Sequence, residues 1–305
     1  MSRVQLKKHG RTRSEIVFDA LNTVIMVLLI IVCIYPIYYT MIASFSNPNL
    51  VISGNVYLWI REFTLESYRE VLKYSAVIIG YRNTILYTLF GTIWNLFLLI
   101  PASYGLSKNW LKGRNLIAVF FVFTMYFSGG MIPTYLLYKN MNLINNPLVL
   151  IIPGAFSVYN MLITRSFFES NFPESLAEAA RIDGAGEMRI FVQLALPLSG
   201  AIIAVMALFH AVGHWNSYFN ALLYIRDAKY YPLQLVMRQI LTTTQNVAGD
   251  PSADSEELIE NARRMRIAQT MKYALVILAN VPVLVAYPFV QKYFVKGVMI
   301  GAIKG

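Results

Sequence analysis

Few side chains of this chain have the type and spacing needed to catalyse a reaction or to hold an ion. His210 and His214 stand four residues apart, so on a helix both imidazoles face the same side, as a metal pair requires. No carboxylate or thiolate stands near them in the sequence and no H-E-x-x-H pattern occurs, which favours helix packing or the lining of a solute path. A G-x-x-x-x-G-K-[ST] nucleotide-binding loop is absent too. The sequence therefore predicts a chain that is not an enzyme, without catalytic, cofactor-binding or metal-binding residues.

The composition is that of a protein whose surface faces lipid. Of the 305 residues, 57% are hydrophobic and 14% are charged, against about 45–50% and about 25% in soluble domains. So little charge cannot cover a water-facing surface, and the single cysteine, Cys33, excludes a disulfide-stapled secreted domain. The net charge of +10 is spread over the segments between apolar runs, which argues against nucleic acid as a partner. We expect an integral membrane protein in contact with lipid.

Six runs without Asp, Glu, Lys or Arg are long enough to predict transmembrane helices, each of which needs about 20 mostly apolar residues. Their cores lie near residues 20–43, 84–106, 116–137, 147–164, 198–221 and 273–291. Ion-coupled carriers usually keep charged groups near the membrane midplane, because a buried charge is costly and is retained for function. The charge-free cores therefore argue against a secondary transporter or pump that drives itself, and they leave two possibilities, an energy source outside this chain or a passive pore.

The basic residues of the short loops predict the orientation of these spans, since Lys and Arg favour the cytoplasmic side. They concentrate in the N-terminal segment, in the loop after the second span and in the C-terminal tail. Both termini are therefore expected in the cytoplasm. The resulting organisation is an N-terminal cytoplasmic segment, 1–15, and a single six-helix domain, 16–305, with a cytoplasmic loop, 166–197, and an outer loop, 222–272.

The loop 166–197 predicts an exposed finger of two short helices. Pro173 suits the start of the first helix, because a missing N–H does no harm there. Gly184 and Gly186 are expected to end it by adopting positive φ, and a second helix then runs from Glu187 toward Pro197. Three small or apolar residues on one helix face form a surface that another protein can approach closely: Leu176, Ala179 and Ala180.

The same loop carries a spaced pattern that resembles the EAA loop of ABC importer permeases. The pattern is Glu-Ala-Ala, three residues, Gly, nine residues, then an aliphatic residue, any residue and Leu-Pro. Here it reads Glu178-Ala179-Ala180, Gly184, Leu194 and Leu196-Pro197, with Leu194 in place of the usual Ile. Asp183-Gly184-Ala185 is similar to the form typical of the carbohydrate branch.

The resemblance extends over most of the chain. Asn83-Thr84, Trp215-Asn216, Tyr231-Pro232-Leu233 and the C-terminal Gly301-Ala-Ile-Lys-Gly305 are similar to the maltose-type, MalG-like permeases. The segments 127–135 and 287–297 further resemble the LplC/YtcP-like subgroup, which is associated with complex or uronic-acid-containing oligosaccharides.

That resemblance implies an all-α type I ABC importer permease fold with six transmembrane helices, and a set of partners. Those partners are a homologous second permease, two ABC ATPase subunits that carry ATP-Mg, an extracytoplasmic solute-binding protein and an oligosaccharide. It also implies that the finger couples the permease to the ATPase through Glu178, Ala179, Ala180, Asp183, Gly184 and Ala185. An ABC permease for a non-sugar solute and a self-sufficient transporter or channel remain as alternatives.

A solute path for a sugar needs amides and aromatic faces, and the spans supply several. The candidates are Tyr126, Tyr159, Asn160, Trp215, Asn216, Tyr218 and Asn220. Each has another explanation, because Tyr and Trp form interfacial belts and Asn bonds between helices. In the outer loop Arg263, Arg264 and Arg266 could attract an acidic sugar, dock a binding protein or form a solvated helix face.

Overall fold

The computed structural model of this chain describes residues 12–246, 271–285, 287, 288 and 291, and every regular element in these ranges is helical. The all-α prediction is confirmed for them. In chain order the helices are α1 (Arg13–Ser44), α2 (Pro48–Ile52), α3 (Glu66–Lys73), α4 (Ser75–Ser107), α5 (Arg114–Tyr126), α6 (Met131–Asn140), α7 (Val158–Asn171), α8 (Glu174–Ile182), α9 (Glu187–Ile190), α10 (Leu196–Leu198), α11 (Gly200–Trp215), α12 (Phe219–Tyr224), α13 (Leu233–Asn246) and α14 (Met271–Val285). Short 3-10 turns occupy Pro147–Leu150 and Ala228–Tyr230, and a π-helical turn occupies Phe191–Ala195.

The chain divides into two compact units. The described residues of the first unit are 12–70 and 271–277, and those of the second are 71–246 and the residues from Leu278 onward. In the first unit the end of α1 packs on the chain that follows it, where Ile42 and Ala43 join one buried cluster with Val51 and Val56. Most of α1 before this point exposes apolar side chains, so it offers a surface suited to lipid or to another membrane helix.

Two helices are long and apolar enough to cross a membrane by themselves, α1 with 32 residues and α4 with 33. At about 1.5 Å per residue both exceed the roughly 30 Å hydrocarbon core of a bilayer. They match the first two predicted spans. Up to four spans result if two bent pairs of helices each count as one, α5 with α6, bent by 110°, and Glu187–Leu198 with α11, bent by 79°.

The other predicted spans are interrupted, so the described residues do not confirm six spans. The third breaks after α5, where Gly130 adopts φ +85° before α6 begins. The fourth, 147–164, holds a 3-10 turn, an irregular stretch and only the first part of α7. The fifth, 198–221, is interrupted at Ser199, two residues after Pro197, and again after α11 ends at Trp215. The sixth begins as α14, whose 15 residues are short for a span, and its predicted core runs beyond the continuous described range.

Helix α4 is the central element of the second unit, because α7, α11 and α13 all pack against it. Close approach is possible where α4 carries small residues. A Cβ built on Gly91 would overlap the imidazole of His214 on α11, whereas a Cβ on Gly105 of the same helix would meet nothing within 4 Å. Gly91 is therefore a contact glycine, and Gly105 is not.

We expect Gly91→Ala to destabilise the folded chain by about 1–3 kcal/mol, the usual cost of overpacking a filled interior. Gly105→Ala is the matched control, and we expect it to leave stability unchanged or to raise it by up to about 1 kcal/mol through helix propensity. Thermal unfolding midpoints of the purified variants in detergent measure both. Equal midpoints for the two variants would contradict the proposed helix contact, and His214→Ala should restore part of the loss in the Gly91→Ala background.

Candidate functional sites

The predicted finger exists as α8 and α9, joined by a tight turn at Gly184. Gly184 adopts φ +81°, its N–H donates to the carbonyl of Arg181 over 3.0 Å, and the N–H of Ala185 donates to the carbonyl of Ala180 over 2.8 Å. These two bonds make a Schellman motif, which satisfies the last carbonyls of α8. The prediction of a positive φ is confirmed for Gly184 and wrong for Gly186, whose φ is −73° because it serves as the extended residue before α9.

One face of the finger packs against its own chain. Ala177 and Ile190 are fully buried and share an apolar cluster with Tyr104 of α4 and Phe168 of α7. Ala180 and Ala185 also lie against this cluster, because the Schellman turn brings them together. The prediction that Ala180 shares an outward face with Leu176 and Ala179 is therefore wrong, and Ala180 is a half-buried packing residue.

The opposite face of the finger is exposed. It carries Glu178, Ala179, Asp183 and Gly184, together with two large apolar side chains, Ile182 and Met188. Ile182 is 87% exposed and Met188 is 73% exposed. The sequence analysis missed both, although Ile182 stands four residues after Glu178 and so lies on the same side of the helix. Exposed apolar side chains on a segment that also exposes carboxylates form a surface suited to a protein partner.

A network of charged groups ties the two helices of the finger to the end of α4. Arg181 bonds Glu174 at the start of α8 over 3.2 Å and Glu187 at the start of α9 over 2.8 Å. The second oxygen of Glu174 accepts from Nζ of Lys108, 3.3 Å away. Lys108 stands in the loop after the second predicted span, whose basic residues were interpreted only as orienting charges, but its side chain is 3% exposed, and the local sequence gives no sign of that burial.

The network gives the finger a pH dependence. Burial by itself raises the pKa of Glu174, but the hydrogen bond from Arg181 and the charge and hydrogen bond of Lys108 outweigh it, so the pKa lies below its ordinary value. A carboxylate with a depressed pKa in the folded state stabilises that state above its ordinary pKa, and the contribution disappears as the pH falls through the lowered value.

We therefore expect Glu174→Gln to lower the thermal midpoint of the purified chain at neutral pH. The difference from the wild type should shrink as the pH falls below the ordinary pKa of about 4.3 and vanish below the lowered pKa of Glu174 in the folded chain. The control is Glu178→Gln, which removes an exposed carboxylate that has no ion pair among the described residues. A constant difference between Glu174→Gln and the wild type at every pH would contradict this assignment.

A second polar cluster lies between three helices of the second unit. His210 of α11 places Nδ1 2.7 Å from the amide nitrogen of Asn95 on α4 and Nε2 3.4 Å from the amide nitrogen of Asn160 on α7. All three side chains are buried. His210 thus acts as a helix-packing residue, one of the two roles that the sequence left open for it.

The structure places the seven candidate path residues in different surroundings. Asn160 belongs to the buried cluster, and Trp215 is buried and donates its Nε1–H to the carbonyl of Ala279 over 2.9 Å. Tyr126 and Tyr159 are 75% and 59% exposed, and Asn220 is exposed as well. Two of the seven contact α13. Asn216 lies 3.5 Å from Gln234, and the ring of Tyr218 lies against the guanidinium of Arg238.

Tyr218 faces a cavity of about 310 Å³ beyond the end of α11. The cavity is lined by Tyr218, Gln234, Met237, Arg238, Leu241 and Thr242. The guanidinium of Arg238 lies 5.6 Å from the centre of the Tyr218 ring. The sequence analysis missed Arg238 and emphasised Arg263, Arg264 and Arg266, which lie outside the described residues. An aromatic face, an amide and a guanidinium together suit a sugar that carries a carboxylate.

Comparison with known proteins agrees with the EAA pattern. Residues 74–300 match the family described as binding-protein-dependent transport system inner membrane component. The chain is 37% identical over 294 residues to Protein LplC of Bacillus subtilis (strain 168), covering 96% of this chain and 97% of that protein. It is also 37% identical over 288 residues to the polygalacturonan/rhamnogalacturonan transport system permease protein YtcP of the same organism, covering 94% and 98%.

A solved structure has the same fold. It is the crystal structure of a bacterial ABC transporter involved in the import of the acidic polysaccharide alginate, and one of its chains matches with a TM-score of 0.84 and 30% identity, over 94% of this chain and 100% of that one. The resemblance to ABC permeases of the LplC/YtcP-like subgroup is thereby confirmed. The chain belongs to the family of binding-protein-dependent transport system inner membrane components.

Proposed function

We propose that this chain is one permease subunit of an ATP-driven importer that carries oligosaccharides across the cytoplasmic membrane. The observation that carries the proposal is the exposed face of the finger, where Glu178, Ile182 and Met188 present charge and apolar surface that the chain itself leaves uncovered. An ABC ATPase subunit is the partner that fits this face in a family of inner membrane transport components. The energy for transport then comes from ATP-Mg bound on that partner and not from this chain.

The assembly that we propose follows the family organisation. Two ABC ATPase subunits bind beneath this chain and a homologous second permease, and a solute-binding protein delivers the sugar on the outer side. Six spans with both termini in the cytoplasm would place the finger beside the ATPase. The uneven distribution of Lys and Arg supports that orientation.

The substrate that we propose is an acidic oligosaccharide. Arg238 supports this choice, because its guanidinium lies over the ring of Tyr218 and has no ion pair with a carboxylate among the described residues. A uronic acid carboxylate could therefore bind the guanidinium while its sugar ring stacks on Tyr218. The relatives agree, since one is named for polygalacturonan and rhamnogalacturonan transport and the matched structure is involved in import of acidic alginate.

Purification and reconstitution test this function together. The tagged chain is purified in mild detergent from its native host, the proteins that accompany it are identified, and the complex is placed in liposomes with trigalacturonate, an alginate trimer and neutral arabinotriose as probes. We expect a second permease, an ATPase with a Walker motif and ATP-dependent uptake of an acidic probe. A chain that purifies alone, or that moves a probe without ATP, would refute the proposal, and uptake of arabinotriose alone would refute the acidic substrate.

A further inference from the structure

We propose that Lys108 is a positioning residue that fastens the finger to α4, so that movement of the finger is delivered to this helix. The inference rests on the proposed function, because it assumes that an ATPase subunit moves the finger. It assigns to one buried lysine the step that connects the docking surface to the membrane-spanning part of the chain.

The side chain of Lys108 is buried, and its contacts come both from α4 and from the start of the finger. Lys108 directly follows α4, and its ammonium lies 4.3 Å from the ring centre of Phe172 and 4.8 Å from that of Tyr104. Its carboxylate partner is Glu174, the first residue of α8. The Lys108 side chain is 3% exposed, and a lysine is almost never fully buried unless its charge is paired. The ion pair and the two ring contacts therefore stabilise the buried ammonium together. Removal of the ammonium leaves Glu174 with Arg181 alone.

The finger is rigid enough to transmit force through the joint at Lys108. Arg181 forms ion pairs with both Glu174 and Glu187, so the ion pair of Lys108 belongs to a network that includes α8 and α9. Beneath the charges Ala177 and Ile190 are fully buried against Tyr104 and Phe168. A packed and charge-linked contact of this kind moves as one body, because well-packed interiors do not deform continuously.

The covalent route from the finger into α11 is less direct. After α9 the chain forms the π-helical turn Phe191–Ala195, then passes Pro197 and bends by 79° before α11 begins. π-helical turns and prolines are the usual sites at which a helix bends. A push on the finger can therefore be absorbed along this route. The Lys108 joint leads instead into α4, which contains Pro101 but stays one continuous helix of 33 residues.

Helix α4 is placed to pass the movement on. It contacts both α7 and α11, and Asn95, 13 residues before Lys108, lies within hydrogen-bonding distance of His210, as does Asn160. Through Lys108 the movement passes from the finger to α4 and then to these neighbours, beside the direct two-residue link between α7 and α8. Coupling of this kind requires a contiguous set of packed elements, and these contacts supply one.

The test uses the complete complex in liposomes, with Lys108→Met as the variant, Lys108→Arg as the conservative one and exposed Lys112→Met as the matched control. Coupling energies of 1–3 kcal/mol correspond to roughly 5–150-fold, so we expect Lys108→Met to lower trigalacturonate uptake per ATP hydrolysed by about tenfold. The co-purified ATPase should remain in normal amount. We expect Lys108→Arg to restore most of the coupling and Lys112→Met to behave as the wild type.

A distance measurement distinguishes a positioning role of Lys108 from a role in stability alone, and it does not depend on which sugar is used for uptake. In a Cys33→Ser background, spin labels at Arg189 of α9, which lies outside the proposed docking face, and at Phe97 of α4, both exposed, report the separation of the finger and α4. We expect one narrow distribution, with and without trapped ATP, in the wild type, and a broad or ATP-dependent one in Lys108→Met. If Lys108→Met does not fold, Glu174→Gln replaces it in this measurement and should give the same broadening. The side chain of Glu174 is half-exposed, so its substitution disturbs the fold less.

Two results would overturn the inference and leave the proposed function standing. One is an unchanged distribution in Lys108→Met or Glu174→Gln, and the other is a wild-type separation that itself changes on ATP binding. Loss of the ATPase subunit from the Lys108→Met complex would also overturn it, because Lys108 would then serve docking. By contrast, a wild-type chain that brings no ATPase with it refutes the proposed function.

Discussion

Gly184→Val is expected to lower uptake by at least tenfold while leaving membrane insertion intact. A β-branched residue at φ +81° is strained by about 1–3 kcal/mol, and relief of that strain would undo the Schellman turn between α8 and α9. The effect would come from the backbone alone, because a Cβ at Gly184 meets no other atom within 4 Å. Uptake of trigalacturonate by the reconstituted complex, with the amount of inserted chain measured in parallel, gives the result.

Two variants make this prediction specific. Gly186→Ala should be tolerated, since Gly186 has φ −73° and open space around it. Gly184→Asn should retain much of the activity, because Asn adopts the left-handed conformation more readily than other non-glycine residues. If Gly186→Ala were as damaging as Gly184→Val, the turn geometry would not explain the loss.

Glu178→Lys is the second change with a large expected effect. The side chain of Glu178 is exposed and has no ion pair within the part of the chain that the structure describes, so reversal of its charge should alter stability by less than about 0.5 kcal/mol. At a protein interface, like charges brought together cost several kcal/mol. Uptake and co-purification of the ATPase should therefore fall together, by about a hundredfold for uptake.

The measurement for Glu178→Lys compares three variants for thermal midpoint, ATPase recovery and uptake. Glu178→Gln should show a smaller loss, because it removes an attraction without adding a repulsion. Lys112→Glu, a charge reversal at an exposed position outside the finger, should show none. Normal ATPase recovery and uptake in Glu178→Lys would place the docking surface elsewhere on the chain.

The finger was the part of the molecule best predicted from sequence, and its errors are instructive. The start of α8 and the turn at Gly184 depend on short-range rules for helix ends, which residue types reveal directly. The misassignment of Gly186 arose because glycine permits positive φ without requiring it. The misplacement of Ala180 arose because the Schellman turn, a three-dimensional feature, folds Ala185 back beside it.

The transmembrane spans were predicted less completely than the finger. Apolar runs correctly predicted membrane helices, and α1 and α4 follow those predictions closely. The bend between α5 and α6 was not predicted, because an apolar run measures only length and hydropathy. Gly130 could have served as a signal, since a glycine inside a helical pattern lowers confidence in continuity. Trp215, one of the candidate path residues, is buried and donates to the carbonyl of Ala279, and the local sequence does not reveal this, because an aromatic side chain can pack or bind with the same neighbours.

The sequence by itself determined the class of protein and its family, because composition and the spacing of Glu178, Gly184 and Pro197 are properties of the chain that need no contacts to be read. Only the tertiary structure decided which residues act together. Lys108 meets Glu174 across 66 positions and Asn95 meets His210 across 115, and such pairs form only when distant helices pack. Burial then gives these groups their roles. A lysine in a loop is ordinarily a charge in water, but Lys108 is a structural link because Glu174 and two aromatic rings surround its ammonium.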